Sequence, residues 1–309
     1  MLADSEPATR PRAAGRGRTG LASRQAITAY IFLTPALIYF AVFYFYPIAL
    51  EFWISLRSGQ PLIGVSAFAG LKNYVTAIND ARVLNSFKVT FIFAVENAVM
   101  SVVVGLGLAL LVNQALRGRT ILRAIIFFPY VTAFVIVALM WRNMLDPYTG
   151  ILNAVLYALG IPGQNWLTGY RSALPTVMGI TVWHGMGYNM VLFLAGLQGI
   201  PDVYHEAAEI DGAGAWARFW RITLPLLAPT TLFVSIISVI GSLQAFGQAY
   251  LITRGGPAEA TRFFVFHVFD IAFNQLNFAY AAALAFLMFA FILVLTIIQF
   301  KLGGHDVEY

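Results

Sequence analysis

The stretch PDVYHEAAEIDGAGAWARFWRITLPLLAP, Pro201 to Pro229, decides how the chain is read. It is too polar to sit in hydrocarbon, yet it is patterned to fold. Glu206 to Asp211 favours a short helix, broken at Asp211-Gly212. A second amphipathic piece follows, with Trp216, Phe219, Trp220 and Ile222 apolar and Arg218 and Arg221 on its other side. Pro225 and Pro229 then redirect the chain. The expectation is a helix-turn-helix elbow over 201–228.

On both sides of this elbow the sequence turns apolar. Stretches long enough to cross a bilayer, about 20 residues each, lie near 27–50, 89–112, 121–141, 174–197, 229–252 and 277–300. Composition agrees: the chain is 60% hydrophobic and 11% charged, whereas a soluble domain is about half apolar and about a quarter charged. The fold class expected is all-α, a polytopic membrane protein with six transmembrane helices. The membrane domain would run over 27–304, between a basic tail at 1–26 without fixed structure and a short tail at 305–309. The first span follows arginines as a signal peptide would, but it outruns an h-region of about 7–15 residues and lacks a small-x-small cleavage site. It reads as a retained helix, interrupted by Pro35 and Pro47, with a bend or re-entry expected near Tyr46-Pro47.

Basic residues set the orientation. Arg10, Arg12, Arg16, Arg18 and Arg24 precede the first span, and Arg117, Arg119 and Arg123 crowd the link between the second and third, so both sites read as cytoplasmic. The links at 57–86, 142–173 and 253–276 read as extracytoplasmic, and both termini as cytoplasmic. By parity the elbow is cytoplasmic too, although it carries Asp202, Glu206, Glu209 and Asp211. A helix resting on headgroups would explain its tryptophans and arginines but not carboxylates beside an anionic leaflet. The other reading is a docking elbow whose acidic first turn meets a basic site on a cytoplasmic partner.

Several chemistries are disfavoured. With no cysteine there is no disulfide, thiolate metal site or thiol nucleophile, and His184, His205, His267 and His305 lack metal-ligand spacing. The basic N-terminal arm reads as a topology anchor, not a nucleic-acid arm. No GxxxxGK[ST] phosphate loop occurs, so the chain does not hydrolyse ATP itself.

Glu206-Ala207-Ala208, Asp211-Gly212-Ala213, Phe219, Ile222, Leu224-Pro225 and Pro229 resemble the EAA loop of type I ATP-binding-cassette importer permeases. Gly70-Leu71-Lys72-Asn73-Tyr74 and Thr253-Arg254-Gly255-Gly256-Pro257 are similar to the carbohydrate branch, the first permease of maltose-type and glycerol-3-phosphate-type systems. The extra N-terminal spans and outer insertion of the maltose type are not present. The resemblance implies a bacterial inner-membrane subunit forming half of a path for a sugar or sugar-like solute. It implies as partners a second homologous permease, two copies of a cytoplasmic ATPase that holds ATP and Mg, and an external solute-binding protein. No cofactor is expected on this chain. Coupling to the ATPase would pass through Glu206, Ala207, Ala208, Asp211, Gly212, Ala213, Phe219, Leu224 and Pro225.

A polar solute crossing the bilayer needs donors and acceptors facing the bundle interior. Thr181, His184, Gly185, Tyr188 and Asn189 recur at three and four residues on the fourth span, and Ser238, Gly241, Ser242, Ala245 and Gln248 do so on the fifth. The resemblance places sugar contacts on these two helices. Tyr188 offers a ring and a hydroxyl, and Ser242 and Gln248 offer donors and acceptors; Gln244 and Phe246 flank the stripe. The same pattern also serves close helix packing, and a lone His184 suits a structural role. Glu96, inside the second span, is expected to pair with Asn97 or another helix, or to stay protonated. An ion-coupled carrier using Glu96 is the alternative function.

Overall fold

The computed structural model describes residues 17–60, 64–114 and 117–303. The arginines at 10, 12 and 16 and the 305–309 tail lie outside the described residues. The chain divides into two units, Met1–Trp53 and Ile54–Tyr309.

The described residues of the first unit are helical. Helix α1 (Gly17–Phe40) runs through one π turn, Ala41–Phe45, into α2 (Tyr46–Ser55). Residues 17–26, expected to be unstructured tail, are part of α1, because nothing after Pro11 interrupts a helix until Pro35. Pro47 does not turn the chain back. The π turn just before it carries the Tyr46 N–H to the Ala41 carbonyl and absorbs the break, so the helix continues.

The second unit opens with an antiparallel ribbon, β1 (Arg57–Gln60) and β2 (Val65–Phe68), paired Arg57 with Phe68. This small sheet was not expected of an all-α chain. Asn73 explains it: its side-chain amide donates to the carbonyls of Ser55 at 2.8 Å and Arg57 at 2.7 Å, tying the ribbon's base to α3 (Lys72–Asn79). Helix α4 (Ala81–Asn113) starts on an Asp80 cap, whose carboxylate accepts from the Arg82 N–H at 2.9 Å, and extends eight residues before the expected span. At its other end the Arg123 guanidinium donates to the Val112 carbonyl at 2.9 Å.

The third expected span is broken. α5 (Arg119–Val131) and α6 (Phe134–Met144) meet at 93° across Thr132, which is extended, and Ala133, just after Pro129 removes a helical hydrogen bond. An outer segment with α7 (Ile151–Ala158) follows; Asn153 locks it by accepting from the Gln164 N–H at 3.0 Å and the Trp166 indole at 2.9 Å. Helix α8 (Ala173–Gln198) is unbroken and packs against α4.

The elbow forms as α9 (Val203–Ile210), α10 (Ala215–Arg218), a π turn Phe219–Thr223 and α11 (Leu224–Leu226), bent 64° into α12 (Ala228–Leu243). The fifth expected span therefore ends as a helix at Leu243, nine residues before position 252. It resumes as a π turn, Gln248–Thr253, beyond the irregular Gln244–Gly247. Helix α13 (Phe264–Phe269), a π turn Asp270–Asn274 and α14 (Phe278–Gly303) complete the chain. Among the described residues four helices are long and apolar enough to cross a membrane: 28–55, 81–113, 173–198 and 278–301. The two bent pairs raise the number to six if each is one span. α4 is the centre, packed along both α8 and α12, with Phe93, Phe193, Leu227 and Leu284 fully buried around it.

Candidate functional site

The approach of α4, α8 and α12 is set by glycines. A Cβ on Gly105 of α4 would lie 2.7 Å from Asn189 Cβ, and one on Gly187 would meet the Ile126 carbonyl of α5 at 2.5 Å, so α8 touches both neighbours nearly backbone to backbone. On the other side, Gly185 and Gly241 have nothing within 4 Å of that position. The helices pinch on one face and leave room on the other.

The room is a cleft of about 210 Å³ lined by Asn97, Ser101, Thr181, His184, Gly185, Tyr188, Asn189, Ile237, Ser238, Gly241, Ser242 and Gln248. Nine of the path residues expected from sequence converge here: five on α8, three on α12, and Gln248. Two do not. Ala245 is buried among Val89, Phe93 and Val137, and Gln244 is exposed at the end of α12. The helix stops at Leu243, so a count of three and four residues fails across the irregular turn and recovers only at Gln248. Phe246 stacks on Tyr250 at 5.1 Å, in the apolar packing, not in the cleft.

Asn97 and Ser101 on α4 also line the cleft and were not expected there. The signal was available: Asn97, Ser101 and Gly105 recur every four residues along α4. Asn97 does not pair with Glu96. Consecutive helical residues diverge by about 100°, so Asn97 turns inward, 6% exposed, and Glu96 lies exposed outside the cleft. The Asn97 amide donates to Ser242 Oγ at 2.8 Å, and the Ser242 hydroxyl donates to the Ser238 carbonyl at 2.6 Å. Asn97 Oδ1 is buried with no hydrogen-bond partner, a state that costs about 1–3 kcal/mol when nothing offers a donor.

His184 bridges to the break in the third span. Its Nε2–H donates to the Thr132 carbonyl at 3.1 Å, a group left without a helical partner where α5 ends, and Phe134 sets its ring edge-on at 5.3 Å. Tyr188 stacks on Tyr130 at 4.8 Å and 19°. The Thr181 hydroxyl donates back to the Val177 carbonyl at 2.9 Å. No lysine, arginine, aspartate or glutamate lines the cleft among the described residues.

The elbow is the opposite kind of surface. α9 ends in a Schellman turn: the Ala213 N–H donates to the Ala208 carbonyl at 2.8 Å and the Gly212 N–H to Glu209 at 3.0 Å, with Gly212 at φ +75°. Glu209 pairs with Arg218 across the turn. Glu206, Ala207, Asp211, Gly212 and Pro225 are exposed, Ala208 is buried, Ala213 is half-buried, and Phe219 and Leu224 pack on the core around Leu227. Ile210 and Trp216 stand 87% and 75% exposed.

A charged network lies on the segments joining α12 to α14. Arg262 donates from Nε to His267 Nδ1 at 3.0 Å and pairs with Asp270, which also accepts from Asn274 at 2.7 Å. Burial, then the Arg262 charge, lowers the His267 pKa. Burial alone would raise Asp270, but the bonds from Asn274 and Arg262 outweigh it and leave its carboxyl below the usual value. Nearer α6, Asp146 is lowered by backbone N–H groups of Thr149 and Tyr148.

The family model for binding-protein-dependent transport system inner membrane components matches residues 83–303. The chain is 34% identical over 284 residues to the sn-glycerol-3-phosphate transport system permease protein UgpA of Agrobacterium fabrum, covering 92% of this chain and 97% of that one. It is 35% identical over 283 residues to the trehalose/maltose transport system permease protein MalF of Thermococcus litoralis, covering 91% and 95%. A chain from the crystal structure of a bacterial ABC transporter that imports the acidic polysaccharide alginate matches with a TM-score of 0.81. That match covers 94% of this chain and 100% of that one at 22% identity, a likeness of fold.

Proposed function

The chain belongs to the family of binding-protein-dependent transport system inner membrane components, permeases of ATP-binding-cassette importers, and from that premise we propose that it forms half of the path for a sugar or sugar-like solute. The observation that carries the solute class is the cleft, where hydroxyl, amide and imidazole groups gather between helices that are otherwise apolar. Hydrocarbon offers such groups no partners. The solute would be a disaccharide, monosaccharide, polyol or glycerol phosphate.

In this reading the chain crosses the inner membrane six times with both termini cytoplasmic, each broken helix counting as one span. A second homologous permease completes the pore, an external binding protein delivers the solute, and two copies of an ATPase supply the energy. The elbow docks on the ATPase. Its exposed Glu206, Ile210 and Trp216 make a face that suits a protein surface with basic and apolar groups, and the Gly212 turn joins its two arms.

The test is solute-stimulated ATP hydrolysis by the chain reconstituted with its partner subunits and binding protein. Glu206→Arg should lower the stimulated rate at least tenfold with the assembly still inserted in the membrane. A normal rate in that variant would remove the coupling role and return the elbow to a helix resting on headgroups.

A further inference from the structure

We infer that Arg262, His267 and Asp270 form an acid-released clasp on the outer segment joining α12 to α14: a proton from an acidic exterior, taken up by His267, breaks the bond from Arg262 and slows transport. For the orientation of the segment this rests on the importer reading above. The tautomer carries the inference. Arg262 Nε–H can only donate, so His267 Nδ1, 3.0 Å away, is the acceptor and the ring's own hydrogen sits on Nε2. The nitrogen that would take a second proton is therefore the one that holds Arg262, and an imidazolium has no acceptor to offer. Clasp and proton exclude each other. The ring has no second arrangement in place, because His267 is 1% exposed and its Nε2 is buried without a hydrogen-bond partner.

The charges around the ring set the direction. Asp80, Asp270 and Glu259 favour the proton, yet each is already engaged. Asp270 is held by Arg262 and Asn274, Glu259 by Arg82 at 3.5 Å, and Asp80 by the Tyr280 hydroxyl of α14 at 3.1 Å. Lys88 of α4 and Arg254 are exposed. Burial, then the Arg262 charge, prevails and holds the clasped imidazole below its ordinary pKa. A released, wetted ring regains the ordinary value near ~6.5. Acid therefore favours the released state from about that pH downward, until the lowered value of the clasped ring is passed. This window lies above the one in which Asp270 itself titrates.

Release reaches the path through packed rings. The Arg262 guanidinium lies over Phe266 at 5.7 Å, Phe266 and Phe269 pack on Tyr250 at 6.4 and 5.5 Å, and Phe269 packs on Phe246 at 5.1 Å. Tyr250 belongs to the π turn Gln248–Thr253, whose first residue lines the cleft. The clasp is the outer mount of that turn.

The chain has no cysteine, so one introduced thiol reports release directly. In the reconstituted complex, Ala272→Cys, at a site 8% exposed, and Tyr148→Cys, at a site 93% exposed, are each labelled by a membrane-impermeant maleimide added outside. The ratio of the two rates cancels the pH dependence of the thiol. It should rise about fivefold as the outer pH is taken from about 7.5 to about 5, and stay flat with His267→Asn, which keeps an acceptor at the place of Nδ1 but does not titrate. If His267→Asn does not assemble, Arg262→Gln should label at neutral pH as fast as the native chain does in acid. The functional arm is uptake of maltose, trehalose, sorbitol and sn-glycerol 3-phosphate, with the binding protein outside and ATP within. For whichever probe is transported, the native rate divided by the His267→Asn rate should fall about fivefold over the same range. The binding protein is common to both, so its own pH dependence cancels. A native labelling ratio or an uptake ratio that does not move with pH overturns the inference and leaves the importer reading standing. Failure of every probe to stimulate ATP hydrolysis at neutral pH would strike that reading itself and the inference with it.

Discussion

The cleft and the elbow are both polar interruptions of an apolar chain, and they are built in opposite ways. In the cleft the polar atoms turn inward and hold one another: Asn97 to Ser242, Ser242 to Ser238, His184 to Thr132. In the elbow the carboxylate of Glu206 and the side chains of Ile210 and Trp216 turn outward, and one ion pair, Glu209 to Arg218, ties the two arms. The difference shows which geometry this chain sets for itself. The cleft's shape is determined by contacts within the fold, whereas the elbow leaves Glu206, Ile210 and Trp216 exposed.

The glycines give the sharpest way to break that contrast. Gly187→Ala would force its Cβ onto the α5 backbone, 2.5 Å from the Ile126 carbonyl and 2.6 Å from Phe127 Cα. Neither atom yields without moving a helix, so the detergent-solubilised protein should lose about 1–3 kcal/mol of stability and its unfolding midpoint should drop. An unchanged midpoint would mean that α5 and α8 are not in such close contact.

Gly212 is a smaller matter of the opposite kind. Nothing lies within 4 Å of its Cβ position, so the demand is conformational, a φ of +75°. Gly212→Ala should cost about 1 kcal/mol locally, lower solute-stimulated ATP hydrolysis a few-fold and leave the unfolding midpoint of the helical bundle in place. Equal losses of midpoint in the two variants would erase the distinction between a packed region and a presented one.

The smallest expected effect tests the charged network as a second self-tied region. The Asp270 pKa is lowered in the folded chain, so its stabilising contribution is complete above the unfolded value near ~4 and fades as the pH falls through the lowered folded value. Asp270→Asn should flatten that acid-side decline in a stability profile measured from neutral pH downward. A profile identical to the native one would show that the pairing with Arg262 does not hold this segment.

Much of this was legible from residues alone. The elbow was readable because helix, break and second helix are local: Glu206 to Asp211, then Gly212 in the conformation glycine takes most easily. The stripes on α8 and the first part of α12 were readable because a regular helix keeps its period. Ala245 was misplaced where that regularity lapses at Gln244, and Pro129 did not by itself reveal a 93° break between α5 and α6. The Asn73 ribbon was hidden because it depends on a side chain reaching carbonyls 16 and 18 residues away.

By itself the sequence determined that the chain is built of long apolar helices and that a polar elbow interrupts them, since composition and period act through neighbours a few residues apart. Only the tertiary structure decided that Asn97 belongs to the cleft and Glu96 does not. Those two differ by one position in sequence and about 100° around α4. Which of them meets Ser242, 145 residues away, depends on how α12 is packed.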